Sequence, residues 1–84
     1  MMAKYDPLRD YLNTRPASTQ QVRLTFDEIA EMVGKLPRSA WKHQAWWAND
    51  TSVHVQSAAW LEAAWEVDAV NQTEEWVIFK RGGD

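Results

Sequence analysis

No cysteine occurs in the chain, which excludes disulfide staples, thiolate nucleophiles and cysteine-ligated zinc. Only three glycines are present, and they form no glycine-rich run that could cradle a phosphate. No apolar stretch approaches the roughly 20 residues that a membrane-spanning helix needs. The opening Met-Met-Ala-Lys-Tyr-Asp has no apolar core of a signal peptide. The expectation is a cytoplasmic protein that makes no use of a membrane. No nucleophile stands beside a base at a recognisable spacing. His43 and His54 lie eleven residues apart and have no clear third partner for a metal. His54 is read as structural, its ring bonded to a loop carbonyl. Neither an enzyme, nor a metal site, nor a cofactor is therefore expected. The net charge of −3 gives no whole-molecule attraction to nucleic acid, so any such binding rests on a local patch.

What the chain has is tryptophan, six in 84 residues, enough large aromatic surface to build one core in one small domain. That domain is expected to span residues 1–84, with 1–4 and 82–84 as disordered ends. Ala40 to Ala48 reads Ala-Trp-Lys-His-Gln-Ala-Trp-Trp-Ala. A helix cannot hide all three of these indoles on one face, because neighbours are turned by about 100°. On such a helix Trp47 shares a stripe with Ala40 and Gln44, and Trp41 with Ala45 and Ala48. Trp46 falls with Lys42 and Asn49 and is the expected exposed indole.

Charge is unevenly placed. From Gly34 to Ala48 the chain carries Lys35, Arg38 and Lys42 and no acid. From Glu62 to Glu75 it carries Glu62, Glu66, Asp68, Glu74 and Glu75 and no base. Lys80 and Arg81 follow.

Asp6 and Pro7 open a short helix, with Asp6 as cap, then Leu8, Tyr11 and Leu12 at helical spacing. Val22, Leu24 and Phe26 alternate as in a half-buried strand. Thr25 and Glu28 form a capping box for a helix that places Phe26, Ile29, Ala30 and Val33 on one stripe. Gly34 ends it in a left-handed conformation. The tryptophan helix is read from Arg38 to Asn49, and another from about Gln56 to Ala64, with Ser57 or Ser52 as its cap. Val53 to Val55 reads equally as a strand. Trp65–Val70 and Glu75–Lys80 alternate and form a hairpin around Asn71–Glu74, with Val67 and Ala69 facing as Trp65 does.

This order predicts an α+β fold of winged helix–turn–helix type: three to four helices and a short strand that pairs the C-terminal hairpin. In such an arrangement Arg38–Asn49 is the recognition helix. The candidate nucleic-acid-binding residues are Arg38, Ser39, Lys42, His43 and Trp46, with Lys80 and Arg81 as outer phosphate contacts. Gln44 and Asn49 are also of types that reach phosphates or base edges. Against DNA or RNA stand the acidic balance and Glu74 and Glu75 at the hairpin tip. The alternative is a protein-interaction module, a subunit, adaptor or inhibitor in a phage–host defence system, that binds through exposed tryptophans. A homodimer through a tryptophan-rich face is a further option.

Tyr5-Asp-Pro-Leu-Arg-Asp-Tyr-Leu12, Leu24-Thr-Phe-Asp-Glu-Ile29, Leu36-Pro-Arg-Ser-Ala40, Trp46-Trp-Ala-Asn49, His54, Trp60-Leu61 and Val77-Ile-Phe-Lys-Arg81 resemble an uncharacterised family of small bacterial and phage domains. These occur alone or attached to larger proteins, some nuclease-like. The resemblance covers nearly the whole chain and implies no chemistry. Where that pattern has a glycine shortly after Trp60-Leu61, this chain has Ala64. A weaker likeness, through Thr25 to Ala30 and the helix ending near Asn49, is to the DNA-binding domain of alkyltransferase-like proteins. The cysteine of their repair reaction is missing here.

Overall fold

In the computed structural model, residues 3–50 and 55–82 are described. The elements run α1 (Asp6–Asn13), β1 (Gln21–Thr25), α2 (Phe26–Val33), α3 (Arg38–Lys42), a 3-10 turn (Gln44–Trp47), α4 (Ser57–Leu61), β2 (Trp65–Asn71) and β3 (Trp76–Arg81). The fold is α+β, with one antiparallel sheet in the order β1-β3-β2. The predicted pairing of the early strand with the C-terminal hairpin is present. No helix among the described residues is long and apolar enough to cross a membrane. His54, Ser52 and most of the ambiguous Val53–Val55 stretch lie outside the described residues.

Local chemistry explains most boundaries. The capping box forms as expected: the Glu28 amide donates to Thr25 Oγ1 at 3.0 Å, and the Thr25 amide donates to Glu28 Oε1 at 2.7 Å. Gly34 ends α2 at φ +96°, a conformation that penalises any residue with a Cβ. Asp6 is one residue further in than expected. Tyr5 is the N-cap of α1, and the Asp6 carboxylate accepts from the Ala3 amide at 2.9 Å. There Asp6 still meets the positive end of the helix dipole. The fourth helix is shorter than its periodicity suggests. It has Gln56 as N-cap without a side-chain cap bond; Ser57 is the first helical residue, one past the cap position, and is buried. Its exit runs through Ala64 at φ +64°, so alanine occupies the left-handed position where a glycine was expected.

The hairpin carries a β-bulge. Val67 faces Phe79, but Ala69 faces Ile78, which leaves Asp68 as the extra residue. Cross-strand partners share a face of the sheet. The bulge therefore replaces Ala69 by Val70, opposite Val77, on the face that carries Val67 and Trp65. The expected simple alternation through Val67 and Ala69 fails at this one residue.

The core lies between this sheet and the helices. Leu8 and Leu12 of α1, Phe26 and Ile29 of α2, and Leu24, Val77 and Phe79 of the sheet are buried with Trp47, Trp60 and Trp65. Four aromatic rings run through it in sequence. Phe26 stacks on Trp47 at 5.1 Å, Trp47 on Trp60 at 6.0 Å, and Trp60 meets Phe79 at 5.5 Å. Offset and tilted pairs of this kind each add about 0.5–1.5 kcal/mol beyond their buried area.

Candidate functional site: a basic helix beside a broken tryptophan segment

The helix expected from Arg38 to Asn49 stops at Lys42. His43 is extended (φ −121°, ψ 113°), and the chain resumes as the 3-10 turn. The indoles account for the break. A continuous helix would send Trp46 and Trp47 to different sides; with the break, both are buried. Trp46, the indole expected at the surface, is only 9% exposed. It packs edge-on against Tyr5 at 5.8 Å and Trp47 at 4.7 Å. Trp41 is half-buried, its ring edge-on to Phe26 at 5.2 Å.

The break also redirects hydrogen bonds. In a continuous helix the Ala40 carbonyl would accept from the Gln44 amide. Here it accepts from the Trp47 indole N–H at 2.9 Å and from Gln72 Nε2 at 3.0 Å. The buried Gln56 donates to the Trp46 carbonyl at 2.9 Å. Asn49, a candidate for base contacts, is exposed, but its side-chain amide is taken by bonds within the fold. Its Oδ1 accepts from the Trp60 indole and from the Val67 amide, both at 2.9 Å, and its Nδ2 donates to the Val67 carbonyl at 3.1 Å. One amide side chain thus satisfies a core tryptophan and both main-chain groups of a strand residue.

The candidate cations separate into two groups. Lys80 is held by Asp68 at 3.4 Å and Glu66 at 3.5 Å. The hydrogen bond and charge of Asp68, then those of Glu66, raise its pKa. Arg81 gives its guanidinium to main-chain carbonyls, donating to Thr19 and Pro16 at 2.8 Å, and lies over the Trp65 ring at 4.6 Å. It ties the 15–19 loop to the sheet, so its donors are not turned outward to a phosphate. Other cations are also engaged. Arg9 pairs with Asp6, Asp10 and Glu62, and Lys4, Arg15 and Arg23 lie over the rings of Tyr5, Tyr11 and Trp76.

Among the described residues, that leaves Lys35, Arg38 and Lys42 with no ion pair and no aromatic partner. All three are exposed. Arg38 and Lys42 are the first and last residues of α3, four apart and so on one side of it. Ser39, His43 and Gln44 are exposed beside them. Lys35 joins this set because the other cations are taken, a property that charge counting along the chain does not reveal. Among the described residues, no group of three or more His, Asp or Glu side chains is placed to hold a metal ion.

The fold is a small α+β domain in which, among the described residues, Lys35 and the short helix α3 carry the unpaired cations. The chain belongs to the family described as Domain of unknown function (DUF7662), matching it over residues 5–82. The resemblance to an uncharacterised family thus holds at that level, while the particular motif and the alkyltransferase-like likeness gain no support from it. Comparison with curated proteins and with solved structures found no match.

Proposed function

We propose that this domain is a non-catalytic nucleic-acid-binding module that grips the phosphate backbone through Lys35, Arg38 and Lys42, with Ser39 and His43 as neighbouring hydrogen-bond donors. One observation carries the reading: these three cations are unpartnered among the described residues and sit in a segment free of acids. The other described lysines and arginines are paired with carboxylates or lie over aromatic rings. A cation held by a carboxylate releases no counterion when a phosphate arrives, whereas an unpaired one does.

The element order and the β1-β3-β2 sheet support the winged helix–turn–helix reading, with α2 and α3 as the helix pair and β2–β3 as the wing. The length of α3 limits what it reads. Five residues span roughly 7.5 Å at 1.5 Å per residue, too short to lay a row of side chains along base edges. Glu74 and Glu75 at the wing tip would be repelled by a second phosphate strand. The reading is therefore backbone binding with little sequence preference. The alternative of a module that binds through exposed tryptophans loses its anchor, because each of the six indoles is buried or half-buried.

A gel-shift series with random single-stranded and duplex DNA and RNA tests the proposal. Retarded complexes at 50 mM salt (about the low-salt condition where phosphate contacts are strongest) that vanish in Arg38→Glu support it. If no nucleic acid is retarded at that salt, the proposal fails.

A further inference from the structure

The outer edge of β2 is independent of the basic face. In the order β1-β3-β2 this strand has one free side. The Phe26 amide donates to the Glu75 carbonyl, which, with the register of β1 on β3, turns the N–H and C=O of Val77 and Phe79 toward β1 and those of Trp76, Ile78 and Lys80 toward β2. Ala69 and Asn71 pair with Ile78 and Trp76, so Val70 between them points its own N–H and C=O away from the sheet. Val67, before the bulge, also points outward, and there Asn49 supplies both hydrogen bonds. Val70 has no such partner among the described residues.

Beside Val70 lies an open groove of about 490 Å³. Ala45, Trp47 and Ala48 form one side, and Asp68, Ala69 and Val70 the other. The small alanine side chains leave room for a main chain to approach. Among the described residues that line the groove, Asp68 is the one ionisable side chain. It shares the single ammonium of Lys80 with Glu66, so two carboxylates face one cation and the edge is left negative. A second copy pairing β2 to β2 about a two-fold axis near Val70 would set each Asp68 opposite Gln72 of the other copy and bring no cation to it. Charge therefore selects a different occupant.

We propose that the β2 edge docks an extended segment of a partner protein, which pairs its main chain with Val70 and sets a lysine or arginine against Asp68. This is strand addition at an exposed sheet edge, in which main-chain bonds hold the segment and one side chain gives selectivity. It does not depend on the nucleic-acid reading, since the cations of α3 take no part.

The test is a titration of the ¹⁵N-labelled protein, followed by amide shifts, with acetyl-Thr-Val-Lys-Val-Thr-amide, its glutamate counterpart and a main-chain N-methylated lysine peptide. The lysine peptide is expected to shift Val70, Ala69, Ala45 and Ala48. The glutamate and N-methylated peptides are expected to bind about tenfold more weakly. Asp68→Asn, an exposed substitution, should reduce the lysine-over-glutamate preference to about twofold. Shifts that are absent or scattered, or equal for lysine and glutamate, overturn the proposal. So does movement of the same amides on concentrating the protein alone, which assigns the edge to a second copy. A single-stranded oligothymidylate that moves them more readily than the peptide overturns it as well.

Discussion

Replacing Asn49 with alanine removes three hydrogen bonds that converge on one side chain. The cost is uneven. Trp60 is fully buried, so its indole N–H, now in a part-buried bond, loses its acceptor, a penalty of about 1–3 kcal/mol that is smaller the better water fills the gap. The Val67 groups lie at the strand edge and can be rehydrated, which limits their loss to roughly 0.5 kcal/mol each. The sum is about 2–4 kcal/mol. For a domain of this size that lowers Tm by about 8–32 °C, at roughly 4–8 °C per kcal/mol. Urea denaturation followed by tryptophan fluorescence measures it directly. Asn49→Asp keeps both acceptor roles but loses the donor and brings a carboxylate against the Val67 carbonyl, so it should fall between, at about 1–2 kcal/mol below wild type. The reasoning is refuted if Asn49→Ala stays within about 0.5 kcal/mol of wild type, the range of ordinary surface changes.

Three further outcomes follow from backbone, loop and titration. Ala64→Gly relieves a left-handed alanine and should raise stability by about 0.5–1 kcal/mol, whereas Gly34→Ala, at φ +96° with nothing within 4 Å of the added carbon, should lower it by about 1–2 kcal/mol on backbone strain alone; paired thermal melts give both signs. Arg81→Ala should destabilise by about 2–3 kcal/mol through lost carbonyl bonds and Trp65 packing, yet leave the salt dependence of nucleic-acid binding unchanged; a changed slope would return Arg81 to the binding surface. Burial holds the Tyr5 phenol above its ordinary 10.0. A folded pKa above the unfolded one means the contribution is complete below the unfolded value and is lost as pH rises through the folded value. The denaturation midpoint should therefore fall above pH ~10, less so in Tyr5→Phe, and identical alkaline profiles for the two proteins would contradict this.

Much of the fold is legible because its signals are local. The Thr25–Glu28 box, Gly34 and the two hairpin strands each depend on residues a few positions apart, and each appears where the sequence places it. The errors have a common physical source in long-range packing. Whether Arg38–Asn49 continues as one helix depends on Phe26 and Trp60, which stack on Trp47, and on Gln56 and Gln72, which donate to the Trp46 and Ala40 carbonyls once the chain breaks at His43. The periodicity of the segment contains none of that. The bulge at Asp68 is likewise invisible in an alternating pattern that merely slips by one. For the site, Arg38, Ser39, Lys42 and His43 stay together at the surface, while Lys80 and Arg81 are claimed by Glu66, Asp68 and the 15–19 loop. Lys35 enters only by elimination of the other cations. Four of the six indoles that set this chain apart are core, and Asn49 is their strap.

The most direct test of the phosphate-binding reading is the salt dependence of binding to a fluorescein-labelled random single strand, measured by anisotropy for wild type and for Lys35→Gln/Arg38→Gln/Lys42→Gln. Three released counterions give a slope of about −2 in log K against log salt, and the triple variant should lose binding and approach a flat line. An unchanged slope in that variant would contradict the assignment of the basic face.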